Sequence, residues 1–132
     1  MQHINPSGNI YYDSEEELCK ELEKYFLPHF FGFKWKPMNN NTKEVWISPT
    51  ERIDYRGFRL SKETFIEVKN WFVTQKDMKQ LLRYKKEIGS SSLYIICGGI
   101  DNDRRKKLKE HEIEVILTKD IVEIYGGVVS WM

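Results

Sequence analysis

The sequence is short of the residues that would mark a disulfide scaffold, a membrane span or a sulfur-held metal. Its two cysteines, Cys19 and Cys97, lie far apart in apolar contexts. That is the pattern of buried thiols in a reducing compartment, not of a disulfide. An iron–sulfur cluster on four cysteines is excluded within the chain. His3, His29 and His111 share no ligand spacing with those cysteines, which argues against zinc. No apolar run approaches the roughly 20 residues that span a bilayer. The polar stretch Met1 to Asn9 lacks the apolar segment of a signal peptide. An intracellular, cytoplasmic protein without a membrane partner is expected. Gly98-Gly99 has neither a G-x-G-x-x-G frame nor a phosphate-binding lysine, so no nucleotide cofactor is expected. No Ser or Cys nucleophile comes with a His partner, and there is no internal repeat.

What is present suits one folded domain over residues 1–132. That length can bury a core without staples. Hydrophobic residues make up 40% and aromatics 14%, which is not a disordered composition. The net charge of +1 decides nothing, but its distribution does. Basic residues gather at Lys76, Lys79, Arg83, Lys85 and Lys86, and again from Arg104 to Lys109. Acids concentrate between Glu15 and Glu23. Segregated charge is what a local phosphate-facing surface requires.

Ser14 with Glu17 fits a capping box. Leu18, Leu22, Tyr25 and Phe26 then recur at helical spacing, and Pro28 is read as the helix end. Phe31, Phe33 and Trp35 alternate with polar or small residues at strand period. Asn39-Asn40-Asn41 marks a loop. Glu44 to Ser48, Glu51 to Phe58 and Thr64 to Lys69 read as strands, with a turn at Ser61 to Glu63. A helix spans about Lys76 to Ile88, with Gly89 as its stop. Leu93 to Cys97 reads as a strand buried on both faces. Asn102 or Asp103 is expected to cap a basic helix to about Lys109. Ile113 to Leu117 is a strand, and Asp120 to Tyr125 a short element of open type. The order predicts an α/β fold: a mixed β-sheet flanked by helices.

Chemistry points to Asp54, Glu67 and Lys69. Two carboxylates on neighbouring strands offer hard oxygens to Mg²⁺ or Mn²⁺. Strand alternation puts Glu67 and Lys69 on one face. Pairing of Ile53–Phe58 with Thr64–Lys69 as a hairpin brings Asp54 near Glu67, and the Val68 carbonyl can add a ligand. Alone, Glu-x-Lys at a strand end is also an ordinary solvated edge. On the following helix, Gln80 and Tyr84 project from one side. Lys76, Lys79, Arg83 and Lys86 form a second stripe, either a wet helix face or a track for a phosphate backbone. Trp35, Trp46 and Trp71 read as core or interface, with stacking of Trp71-Phe72 on a base as the other reading.

Asp54, then Ile66-Glu67-Val68-Lys69, then Gln80-Leu81-Leu82-Arg83-Tyr84 resembles the PD-(D/E)xK nuclease superfamily. The Q-x-x-x-Y element resembles its RecB-type branch and the archaeal mismatch-endonuclease catalytic domain. Ile53 stands where the family name has proline. The resemblance covers roughly Ser14 to Leu117 and implies a restriction-endonuclease-like αβββαβ core. It implies metal ligation by Asp54, Glu67 and the Val68 backbone, with Lys69 assisting the nucleophilic water. It gives Gln80 and Tyr84 supporting roles in catalysis. A first-helix glutamate joins the metal site in many members. Here the choice lies among Glu15, Glu16 and Glu17, and Glu15 shares the inward face of Leu18 and Leu22. Its other reading is a carboxylate stabilised by the helix dipole.

The expected function is hydrolysis of DNA phosphodiester bonds by an Mg²⁺- or Mn²⁺-dependent endonuclease, with Lys76, Lys79, Arg83 and Lys86 on the nucleic acid. Two cuts on a duplex suit a homodimer. The alternative is a nuclease-fold module that binds nucleic acid or a protein partner without cutting.

Overall fold

The computed structural model describes residues 1–129, so residues 130–132 of the expected single domain lie outside the description. Two short strands, β1 (Gln2–Ile4) and β2 (Ile10–Tyr12), form an N-terminal hairpin. Helix α1 (Glu15–Glu21) follows, capped as expected by the Ser14 hydroxyl, which accepts from the Glu17 N–H at 3.1 Å. The chain then makes a π-helical turn over Leu22–Phe26 and continues as α2 (Leu27–Phe31). Pro28 therefore does not end the helix. A proline ring collides with the carbonyl four residues back in a regular helix. Here the turn before it is wider, with the Leu27 N–H donating to the Leu22 carbonyl. Gly32, at φ 115°, makes the stop.

The strand expected at Phe31, Phe33 and Trp35 does not form. Phe31 closes α2, and the chain from Gly32 to Met38 is irregular. Trp35 packs in a ring cluster with Phe31 and Tyr55, and its indole N–H donates to the Arg56 carbonyl at 2.9 Å. That tertiary contact overrides the local alternation.

The main sheet has five strands in the order β3 (Lys43–Trp46), β4 (Arg52–Arg59), β5 (Lys62–Phe72), β6 (Ser92–Gly99), β7 (Ile113–Leu117). β3, β4 and β5 are antiparallel; β5, β6 and β7 are parallel. The β4–β5 hairpin turns on Leu60 and Ser61, both at positive φ, as a two-residue loop matched to strand twist requires. α3 (Gln75–Ile88) and α4 (Asn102–Glu110) are the parallel crossovers. Asp101 caps α4, accepting from the Arg104 N–H at 2.8 Å, one residue before the caps expected. The last element is a helix, α5 (Thr118–Val129). The αβββαβ order and the mixed, helix-flanked sheet are those expected from the sequence.

Alternating strand residues feed two cores. Phe65, Leu93, Ile95 and Cys97 meet Met78, Leu81 and Tyr84 of α3 and Leu108 of α4. Ile66, Val68 and Ile96 meet Leu18 of α1, Leu22, Phe26 and Leu27 behind it, and Ile121 of α5. Among the described residues no helix is long and apolar enough to cross a membrane.

Asn70, 1% exposed, clips the N-terminal hairpin to β5. Its side-chain oxygen accepts from the Tyr12 N–H at 2.8 Å, and its amide donates to the Tyr12 carbonyl at 2.6 Å. Asn70→Ala strands both groups, each costing about 1–3 kcal/mol when buried and unpaired. The expected loss is about 2–4 kcal/mol in urea unfolding, with faster amide exchange at Tyr12.

Candidate active site

The β4–β5 ladder runs regularly from Arg59↔Lys62 to Tyr55↔Ile66 and then stops, although both strands go on. One step further, side chains take over the ladder bonds. The Asp54 N–H donates to Glu67 Oε1 at 3.2 Å, and the Val68 N–H donates to Asp54 Oδ2 at 2.8 Å. Side chains in a strand alternate between faces. Yet Ile53 packs in the α3 core, and Tyr55, two residues on, packs in the α1 core. The neighbouring strand does the same: Val45 lies opposite Ile53, and Lys43 opposite Tyr55. Between them Glu44 sits at φ 50°, an uncommon conformation for a residue with a side chain. The sheet is thus wrenched open at Glu44, Asp54 and Glu67.

β5 keeps regular alternation, so Glu67 and Lys69 share a face. Lys69 Nζ lies 3.6 Å from Glu67 Oε2 and 3.8 Å from Asp77 Oδ1. Asp77 also accepts from the Thr74 N–H, closing a capping box at the start of α3. A residue's N–H and C=O leave an extended strand on the same side. The Val68 carbonyl therefore faces the gap into which its N–H points.

A cleft of about 470 Å³ opens beside Asp54, lined also by Glu15, Glu23, Glu44 and Lys43. Of the three first-turn glutamates, Glu15 comes to the site: Oε1 accepts from the Asn70 N–H at 3.4 Å. Glu16 lies at the rim, 3.6 Å from Lys20, and Glu17 belongs to the Ser14 cap. Glu23 is occupied by the Tyr55 hydroxyl at 2.5 Å and Lys43 at 2.8 Å.

Burial pushes the carboxyls of this group up. Glu67, 5% exposed, is raised well above its ordinary value by burial first and then by the charge of Asp54. Asp54 is raised by burial, against the pull of its bonds to Glu67 and Val68 and of Lys69. Glu15 is raised by burial and then by Asp54. The Tyr84 hydroxyl is also raised, by burial and then by Glu67. Tyr84 is buried behind Glu67; Gln80 is half-buried, and its side chain makes no hydrogen bond among the described residues. On the outer face of α3, Lys76, Lys79 and Lys86 are exposed and form no ion pair among the described residues. Arg83 is held by Glu51 at 3.3 Å.

Sequence reasoning missed Asp77, Glu44 and Asn70. Thr74-x-x-Asp77 is a capping-box pattern and could have been read. Nothing local signals the twist at Glu44, and Asn70 acts through contacts with Tyr12 and Glu15, both far away in the chain.

Among the described residues no three His, Cys, Asp or Glu side chains converge closely enough to hold a metal unaided. The donors at the opening are two carboxylates and one main-chain oxygen, with Glu15 nearby. Such hard oxygens fit Mg²⁺ or Mn²⁺ completed by water, and the set lacks the His or Cys donors usual for zinc.

No family model matches the chain, and no curated protein matches it. A solved structure does. The fold is shared with a repair endonuclease. That protein, from Pyrococcus abyssi, superposes with a TM-score of 0.61 over 80% of this chain, at 17% identity. The chain spans 46% of that neighbour's length. At such identity the likeness shows the fold and nothing finer.

A carboxyl raised in the folded state binds its proton more tightly there than in the unfolded chain. Its contribution is full below the ordinary carboxylate range and is lost as pH rises through the raised value. Tm measured in EDTA should therefore fall as pH rises above the ordinary carboxylate range. Glu67→Gln, which removes one charge of the pair, should flatten that slope and raise the metal-free Tm at neutral pH.

Proposed function

We propose that the chain is an Mg²⁺- or Mn²⁺-dependent deoxyribonuclease that hydrolyses phosphodiester bonds as an endonuclease. The observation that carries this reading is the opened strand pair, which leaves Asp54 and Glu67 together with Lys69 on the face of Glu67. A site built for structure alone would satisfy the ladder with backbone groups and would not bury two acids side by side.

Asp54, Glu67 and the Val68 carbonyl would hold the metal, with Glu15 reaching it directly or through water. When bound, the metal supplies Lewis acidity toward a phosphate oxygen and makes water a nucleophile near neutral pH. Lys69 works from the side of Glu67. Its ammonium can orient the attacking water and stabilise the charge that grows on the phosphoryl oxygens. Asp77 keeps that ammonium extended along the face. Tyr84 walls Glu67 from behind, and Gln80 on the same helix side is available to a water or the strand. The exposed Lys76, Lys79 and Lys86 would lie along the phosphate backbone, where each cation displaces a counterion. Arg83 would join them on release from Glu51. DNA as the substrate is supported by the fold's likeness to a repair endonuclease. A two-fold dimer would set two such sites against the two strands of a duplex.

The test is cleavage of circular single-stranded and supercoiled DNA with Mn²⁺ or Mg²⁺, against an EDTA control. Wild type should cut the circles. Glu67→Ala and Lys69→Ala should each lower the rate by about 100-fold or more, the scale of losing one charge-stabilising group. Cutting of linear strands but not circles would replace endonuclease by exonuclease. Cleavage by both variants at the wild-type rate would overturn the site. If wild type binds DNA yet neither cuts it nor takes up Mn²⁺, the non-cutting binding module is the correct reading.

The basic stripe makes a separate prediction. Lys79→Ala should weaken DNA binding and reduce the slope of log affinity against log salt by about 1. Anisotropy at several salt concentrations measures both.

A further inference from the structure

Trp71 and Phe72 end β5, the strand that carries Glu67 and Lys69. The sequence admits them as core, but they are 55% and 50% exposed. Tyr11 of the N-terminal hairpin lies against Trp71, with ring centroids 4.5 Å apart and planes tilted by 36°. His3 stacks on the other side of Tyr11 at 5.2 Å. At the ends of the row, Trp71 is the more exposed ring and His3 is held by Asp13. Beside it is a cleft of about 130 Å³ whose walls include Tyr11, Trp71, Phe72, Asn5 and Asn9. β6 makes room for this wall with glycines. A Cβ on Gly99 would lie 2.5 Å from the Phe72 ring, and one on Gly98 would lie 2.4 Å from the Asn70 carbonyl oxygen.

We propose that this cleft is a subsite for one unstacked nucleobase of a single-stranded stretch of the substrate. Its chemistry is that of a base: apolar ring faces on one side and amides on the rim. Asn5 Oδ1 is taken by the N–H groups of Ser7 and Asn9. The Asn5 NH₂ and the whole Asn9 amide bond nothing else among the described residues, which leaves donors and an acceptor for a base edge. An exposed indole face is the usual platform for a base in sequence-tolerant binding of single strands. The place also fits. Trp71 is two residues beyond Lys69 on the same strand, across a register shift, so it lies within about 7 Å along the chain, the reach of one nucleotide. Asn70 fixes the two sites relative to each other, with its N–H on Glu15 and its side chain on Tyr12.

This subsite rests on the nucleic-acid reading above, and the test separates the two. The full chain is titrated in EDTA, at low salt, with labelled four-residue oligothymidylate and with its fully abasic counterpart. The affinity gap between these probes is the contribution of the bases. Wild type should show the gap. Trp71→Ala should shrink it by roughly 5- to 100-fold, the effect of removing one stacked base. Trp71→Phe should keep most of it, which covers the case in which the alanine variant is destabilised. Trp46→Ala, an exposed tryptophan on β3, should leave it unchanged. A gap that survives Trp71→Ala overturns the subsite alone. So does a Trp71→Ala variant that only turns a dimer into a monomer in sedimentation, since the aromatics would then be a subunit contact. If wild type binds neither probe, the subsite and the nucleic-acid reading fall together.

Discussion

Past Tyr55 and Ile66 the β4–β5 ladder is carried by carboxylates instead of by the main chain. Everything at the site depends on that exchange. An antiparallel pair that stayed zipped would bury its backbone groups against each other and leave no gap for an ion or a phosphate. An unzipped pair with nothing in the gap would strand the N–H groups of Asp54 and Val68, each at a cost comparable to a lost hydrogen bond. Asp54 and Glu67 resolve this by bonding across the gap to each other's strands. The same two bonds hold the strands apart, aim the carboxylates and turn the Val68 carbonyl toward the opening. What they do not resolve is charge. Two acids are buried side by side, and Lys69, the cation beside Glu67, is shared with Asp77.

The surroundings carry that imbalance outward. Glu15 and Glu44 add to the acid side of the cleft, and burial raises Glu15 together with the central pair. A polyanion would be repelled by such a cleft unless cations stand in it or beside it. The basic residues are on the outer face of α3, at arm's length from the carboxylates. The architecture separates a cation-hungry interior from an anion-attracting rim, and the α3 capping box joins them through Asp77.

How much of this was legible in the sequence follows from the range of each interaction. Local patterns held where local physics decides: the Ser14 cap, the β-branched run leading to Glu67, the helix that Gly89 stops, the apolar strand at Leu93–Cys97. The proximity of Asp54 to Glu67 followed from a hairpin register, and Glu15 from its phase with Leu18 and Leu22. Failures came where a distant partner overrode the local signal. Trp35 satisfies its indole on Arg56 and gives up strand period. The strand at Tyr11 and Tyr12 is tied down by the Asn70 side chain, a partner that no local pattern announces. Glu44 could not be found, since its importance lies in a backbone twist that exists only when β3 meets β4.

The π-helical turn before Pro28 has a further consequence. It holds one residue more than a regular turn, so it rotates everything after it by about 100° relative to a straight helix. The inward stripe of Leu18, Leu22 and Phe26 gives way abruptly to Leu27 and its neighbours. Residues 22–26 are thus a seam where the helix holds one residue more than a regular turn, with Pro28 seated just behind it. Set beside a straight first helix, this one aligns only with a gap at the seam. Ungapped matching would carry the glutamates of the first turn or the aromatics of the last one out of phase, but not both into it.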